Sequence, residues 1–280
     1  MLKLGLIFNN SLRKDTTGNY CLTAFKEMGD MAVEHLMPGQ PSADEKDWYL
    51  VIDDGVPFDW SYLQGKKTAY WAIDTHLGLN ERLANAAHCQ KIFIAQKNDV
   101  DKFTSKGMNA IWLPLACDPG THKGGVGIKK EYDVCFVGHT DPSFMERRVD
   151  MLDALFKAVP NFYYGQKFFR EATAIYERSK IVFNCSVKND VNMRCFEAAV
   201  SGSLLLTDRI KDNGMENLFA DGVHMIMYDN AEEMVEKARY YLAHEKEREE
   251  IAARGQTLIL DIHTYSNRMY RIIGELIGGH

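Results

Sequence analysis

Arg194 and Glu197 stand three residues apart in "NMRCFEAAVSGSLLLTD", residues 192–208, a segment that otherwise reads as a short apolar helix feeding a buried strand. That spacing puts both side chains on one helix face near its N-terminal end. An arginine there neutralises an anion with help from the partial positive charge of the helix end, and a glutamate accepts hydrogen bonds from a ribose diol. A surface ion pair is the plainer alternative, worth about 0.5 kcal/mol. Asn192 stands at the N-cap position, Phe196, Ala199 and Val200 form the packed face, and Gly202 follows the last turn.

A second site signal is "DVCFVGHTDPSFMERR", where Gly138 ends an apolar run and a helix carrying Arg147 and Arg148 follows. Glycine lets a phosphate approach the backbone, although a strand-to-helix turn alone also accounts for it. In "YWAIDTHLG", Asp74 and His76 follow a strand and project the same way if the chain stays extended. Either could act as a general base; alternatively Asp74 caps a helix and His76 is solvated. Asp53 and Asp54 in "VIDDG" offer paired acids for a metal, but two aspartates before glycine are more often turn residues. No histidine and cysteine pair has zinc-ligand spacing, so no metal site is expected.

These residues need a scaffold, and the chain alternates short apolar runs with helical patterns, as βαβ units do. Six strands are expected in the first half ("LKLGLIF", "AVEHLM", "DWYLVID", "KTAYWAI", "KIFIAQ", "AIWLPLA") and five in the second ("YDVCFVG", "NFYYG", "KIVFNCS", "SLLLTD", "HMIMYD"). Between them run helical stretches such as "GNYCLTAFKEMG", closed by Gly29, and the long "AEEMVEKARYYLAHEKEREEIAARG". The Pro- and Gly-containing segment 117–133 separates the two series. The expected organisation is a first lobe over 1–120, a linker over 121–132, a second lobe over 133–262 and a closing helix over 263–280. The fold class is α/β, two Rossmann-like lobes facing a cleft.

A net charge of −6 gives no electrostatic footprint for nucleic acid. Six cysteines without a CxxC, mostly in apolar runs, read as reduced thiols of a cytoplasmic protein, and no apolar run is long enough to span a membrane.

The segments from "YDVCFVGHTDPSFMERR" through "NMRCFEAAVSGSLLLTD" to "HTYSNRMYRII", roughly residues 130–275, resemble the donor-binding domain of the CgeB-type group of GT-B glycosyltransferases. The first half is similar more loosely, through "DTTGNY", "YWAIDTH" and "WLPLACDP". The resemblance implies a nucleoside diphosphate sugar as co-substrate, no cofactor, no obligatory metal, and transfer to an acceptor hydroxyl on a protein, a glycan or a modified nucleobase. Retention follows by the same analogy. Gly138 would face the diphosphate, Arg194 bind it and Glu197 hold the ribose, with Arg147, Asn184 and Asn192 lining the donor pocket. Many relatives carry a second glutamate eight residues after the first, where this chain has Leu205. A nucleotide-sugar epimerase or a non-catalytic sugar-nucleotide binding module are the rival readings. Tyr265 and Tyr270 are expected to pack, with Arg268 reaching the cleft.

Overall fold

The computed structural model describes residues 2–11, 16–29, 31–40, 42, 44–55 and 57–278; residues 12–15 of the "FNNSLRKDTTGNY" loop lie outside the described residues. The chain divides into two compact units, Met1–Leu115 with Tyr265–His280, and Ala116–Thr264. The stretch 121–132 belongs to the second unit, and the C-terminal helix to the first.

Eleven strands appear among the described residues, each where an apolar run stands in the sequence: β1 (Leu2–Ile7), β2 (Met31–Leu36), β3 (Trp48–Ile52), β4 (Thr68–Ala72), β5 (Lys91–Ile94), β6 (Ala110–Trp112), β7 (Tyr132–Val137), β8 (Phe162–Gly165), β9 (Ser179–Asn184), β10 (Leu204–Asp208) and β11 (Ile226–Tyr228). The α-helices are α1 (Thr17–Glu27), α2 (Leu79–Ala86), α3 (Val100–Thr104), α4 (Pro119–His122), α5 (Pro142–Ala158), α6 (Phe169–Glu177), α7 (Met193–Val200), α8 (Met215–Leu218), α9 (Ala231–Ala243), α10 (Glu245–Ile262) and α11 (Tyr265–Ile277). The expected single helix from Ala231 is broken at His244, whose φ of −109° and ψ of 69° are not helical. The buried Arg248 donates from Nη1 to the carbonyls of Tyr241 and Leu242, so carbonyls at the end of α9 are satisfied from within α10.

In the first unit the sheet order is β2-β1-β3-β4-β5-β6, and all pairings are parallel. In the second it is β11-β10-β9-β7-β8, again parallel. Parallel sheets are covered on both faces, so central strands such as "TAYWA" and "LLLTD" bury every residue. The chain leaves β7 for β8 on one side and then crosses to β9 on the other. The reversal between β7 and β9 opens a crevice beyond their carboxyl ends, where ligands of doubly wound sheets bind.

Two expectations in the first unit change, and the reading of Asp53 as a turn residue holds. Tyr265 is buried, but Tyr270 is 61% exposed and packs little. Arg268 is buried and donates to the carbonyls of Pro114 and Leu115, which fastens α11 to the chain after β6. Asp53 pairs with Arg82 at 2.8 Å and accepts from the backbone of Gly55 and Ile73, so it is a structural acid of the turn after β3. Among the described residues no helix is long and apolar enough to cross a membrane. All six cysteines are free thiols, five of them buried.

Candidate functional site

The crevice between β7 and β9 is bridged by Arg194. Its Nε donates to the Val137 carbonyl at 3.0 Å and its Nη1 to Asn184 Oδ1 at 2.8 Å, so one guanidinium ties the last residue of β7 to the last of β9. It also lies over the Phe136 ring, 4.6 Å from the centroid. A methyl group at position 138 would sit 2.1 Å from Arg194 Nη2 and would push the guanidinium aside, so glycine is what lets Arg194 bridge the two strand ends. The helix that delivers Arg194 is short and amphipathic; it buries Cys195, Phe196, Ala198, Ala199 and Val200, and Gly202 follows it with φ +80°.

Arg194 does not pair with Glu197. Glu197 Oε1 lies 3.3 Å from Nε2 of the buried His122, a residue that sequence reasoning missed because α4 lies in the stretch read as linker. The Asp118 backbone N–H donates to His122 Nδ1 at 3.1 Å, so in the neutral ring the proton sits on Nε2 and points at the carboxylate. The local signal was Asp118 before Pro119, an N-cap followed by proline in the first turn. The Thr173 hydroxyl donates to the Thr121 carbonyl at 3.1 Å, which holds α4 against α6. Glu197 is thereby oriented with its other carboxylate oxygen unbonded among the described residues.

Asn184 is fully buried, and its groups are taken up internally: Nδ2 donates to Thr207 Oγ1 at 2.9 Å, and the backbone carbonyl accepts from Tyr228 OH at 2.8 Å. It holds Arg194 rather than lining a pocket. Asn192 occupies the N-cap position but makes no side-chain capping bond; its Nδ2 instead faces Asn184 Oδ1 at 3.4 Å.

Arg147 and Arg148 have separate fates. Arg147 is half exposed and donates to Asp208 Oδ2 at 2.7 Å; burial opposes its charge, but the Asp208 contact outweighs that and holds it more firmly protonated than an ordinary arginine. Arg148 is buried, donating to the carbonyls of Cys185 at 2.9 Å and His139 at 3.0 Å, and so makes a second tie between the β7 and β9 ends. Burial, followed by the neighbouring Arg194 charge, lowers its pKa to about 10. Two guanidinium groups over the Phe136 ring, 4.6 and 5.7 Å from its centroid, give a crevice rich in positive charge.

Asp208, 1% exposed at the end of β10, also accepts from the Ser186 backbone N–H at 2.8 Å and from the Ser186 hydroxyl. These bonds set the loop after β9, in which Lys188 and Asn189 have φ of +49° and +65°. Loop and α5 line a cavity of about 380 Å³, with Met145, Glu146, Arg147, Arg148 and residues 186–189 at its walls. Leu205, by contrast, is buried in the middle of β10 and paired with Val182. A glutamate there would be buried in the sheet, so its absence says nothing about sugar contacts.

In the first unit, Asp74 has φ +54°, and its carbonyl accepts from the Leu77 N–H at 2.9 Å. The chain turns instead of staying extended, yet the side-chain ligand atoms of Asp74 and His76 lie within 4.8 Å of one another, so the two still project the same way. The helix cap after β4 is Gly78 rather than Asp74. Between the two, Thr75 is buried; its hydroxyl bonds to Asp99, and its N–H donates to Gln96 Oε1 at 3.2 Å, fixing the turn that carries both residues. A non-glycine residue held at positive φ stores strain that only a well-determined turn sustains.

Residues 147–274 match the family described as Glycosyl transferase-like. That stretch is similar to glycosyltransferases, on a GT-B fold. Solved structures agree on the fold: Anabaena Alr3699/HepE in complex with UDP and glucose has a TM-score of 0.70 at 11% identity, covering 99% of this chain and 100% of that one. The α-glucosyltransferase in complex with UDP-glucose and DNA containing an abasic site gives 0.69 at 8% identity, over 98% and 99% of the chains. Sucrose-phosphate synthase from Thermosynechococcus elongatus gives 0.67 at 8% identity, over the full length of both. No match was found among curated protein sequences. The family match spans Arg147, Arg148, Asn184, Arg194, Glu197 and Asp208, leaving Gly138 and His122 before it.

Proposed function

We propose that this glycosyltransferase moves a glycosyl group from a UDP-sugar to an acceptor hydroxyl, with retention and without an obligatory metal ion. The observation that carries the reading is Arg194 spanning the ends of β7 and β9 beside Gly138, with Glu197 one helical turn further on. A diphosphate in that crevice meets a guanidinium already fixed by protein bonds, so charge developing on the leaving group is stabilised without reorganisation. Arg148, whose guanidinium also lies over Phe136, adds a second positive charge, the part a metal ion plays in other transferases. The oriented Glu197 carboxylate receives the ribose diol, and the cavity beside Arg147 takes the sugar. UDP rather than another base is suggested by the complexes of HepE and of the α-glucosyltransferase.

In a retaining transfer the leaving phosphate takes the acceptor proton, and the turn bearing Asp74 and His76 is left to position the acceptor. The net charge of −6 favours a glycan or protein acceptor over duplex DNA. Glu197→Ala tests the donor assignment. It is expected to weaken UDP about tenfold or more while leaving 2′,3′-dideoxy-UDP nearly unchanged, since a hydrogen bond to a charged group contributes about 1.5–3 kcal/mol. Equal losses for both nucleotides in a titration would remove the ribose role.

A further inference from the structure

The first unit carries a second pocket, far from the carboxyl ends of its strands. It has a volume of about 540 Å³ and is lined by Phe58, Asp59, Trp60, Gln64, Lys66 and His88, with Gln90 and the intervening loop completing the wall. The loop of residues 57–67 leads into β4, and His88 and Gln90 lead into β5, so the pocket lies at the amino ends of these two strands. The Asp74 turn follows β4 at its other end, about 16 Å away along a five-residue strand.

The pocket is preformed. Trp60 is 8% exposed, donates from Nε1 to Asn85 Oδ1 at 3.0 Å, and packs edge-on against Tyr70. The exposed His88 ring lies parallel to the Trp60 ring, with 5.4 Å between centroids and a 9° tilt; Phe58 meets Trp60 edge-on. Around these rings stand hydrogen-bonding groups held by the backbone. Gln90 Oε1 accepts from the Thr68 N–H and hydroxyl, which leaves its amide N–H groups outward. Asp59 Oδ1 accepts from the Ser61 N–H, and that bond holds its carboxyl below the usual carboxylate range. Gln64 is exposed on the same rim.

The half-buried Phe58 ring and the exposed His88 ring, bordered by amides and a carboxylate, match a pyranose, whose C–H face meets a ring while its hydroxyls reach the rim. One lysine and one aspartate offset each other, so the lining selects for a neutral ligand. The volume falls within the range of about 300–1,000 Å³ typical of small-molecule sites. We propose that this pocket is a saccharide-binding site that holds a neutral pyranose chain away from the place of transfer. The identity of the chain as acceptor glycan rests on the glycosyltransferase reading; binding itself does not.

The test is calorimetric titration of the intact protein with maltopentaose, cellopentaose and chitopentaose, up to about 5 mM each, where a millimolar Kd corresponds to about −4 kcal/mol. At least one should bind with a Kd near or below 1 mM, unaffected by saturating UDP, and His88→Ala or Gln64→Ala should each weaken it about fivefold or more. Both changes are at exposed side chains, and an unaltered UDP titration serves as the control for folding. Absence of binding by all three, binding displaced by UDP, or binding untouched in the variants would overturn the proposal. Saccharide binding without UDP binding would leave this site standing and remove the donor reading.

Discussion

Arg194→Ala is expected to weaken UDP binding about 10- to 150-fold and to lower kcat/KM for a UDP-sugar by at least as much. The range follows from losing one charge-assisted bond to the diphosphate, about 1.5–3 kcal/mol. In the free protein the side chain bonds to Val137 and Asn184, so its removal also leaves the buried Asn184 Oδ1 with only the 3.4 Å contact from Asn192 Nδ2. A thermal melt therefore has to accompany the kinetics. Arg194→Lys separates the two effects: lysine keeps the charge but cannot bridge both strand ends. It should recover part of the affinity, and a lysine variant as weak as alanine would mean that the bridging geometry matters more than the charge.

The second large effect is expected in stability. Asp208→Ala removes the acceptor for the Ser186 N–H and hydroxyl and leaves Arg147 without its carboxylate. A buried backbone donor left unpaired costs about 1–3 kcal/mol. The Arg147 pair adds little because that side chain is half exposed. A loss of about 3 kcal/mol, or roughly 5–10 °C in Tm, should appear in calorimetry. Asp208→Asn retains an acceptor and should lose less than half as much. Alanine and wild type melting together would show that the loop after β9 is set by something other than Asp208.

The strands were legible because parallel strands are buried on both faces and read as unbroken apolar runs; "LLLTD" and "TAYWA" have no solvent face to confuse with a helix. Gly138 and Arg194 were legible as separate signals, one from a turn and one from an odd charge in an apolar helix. Their contact was not, because 56 residues separate them and only the β7–β9 crossover brings them together. The same holds for Asn184, an apparent pocket residue whose partners Thr207, Tyr228 and Arg194 all come from other elements. His122 was hidden by local chemistry, since α4 is a single turn in a segment with the proline and glycines of a linker. Asp74 and His76 come together by a route the sequence hides: nothing in "AIDTHL" announces the positive φ, which goes with the buried Thr75 bonds to Gln96 and Asp99 after β5, and their side-chain ligand atoms lie within 4.8 Å of one another. The break at His244 carries no proline or glycine, and Arg248 satisfies its carbonyls from the next helix.

The central claim is that the crevice between β7 and β9 holds the diphosphate of a UDP-sugar. Its most direct measurement is a calorimetric titration of wild type and Arg194→Ala with UDP, in excess chelator. Wild type is expected to bind UDP at one site per chain, unaffected by the chelator, and the variant with a Kd at least tenfold higher. No heat of binding for wild type, or equal Kd values for the two proteins, would contradict it.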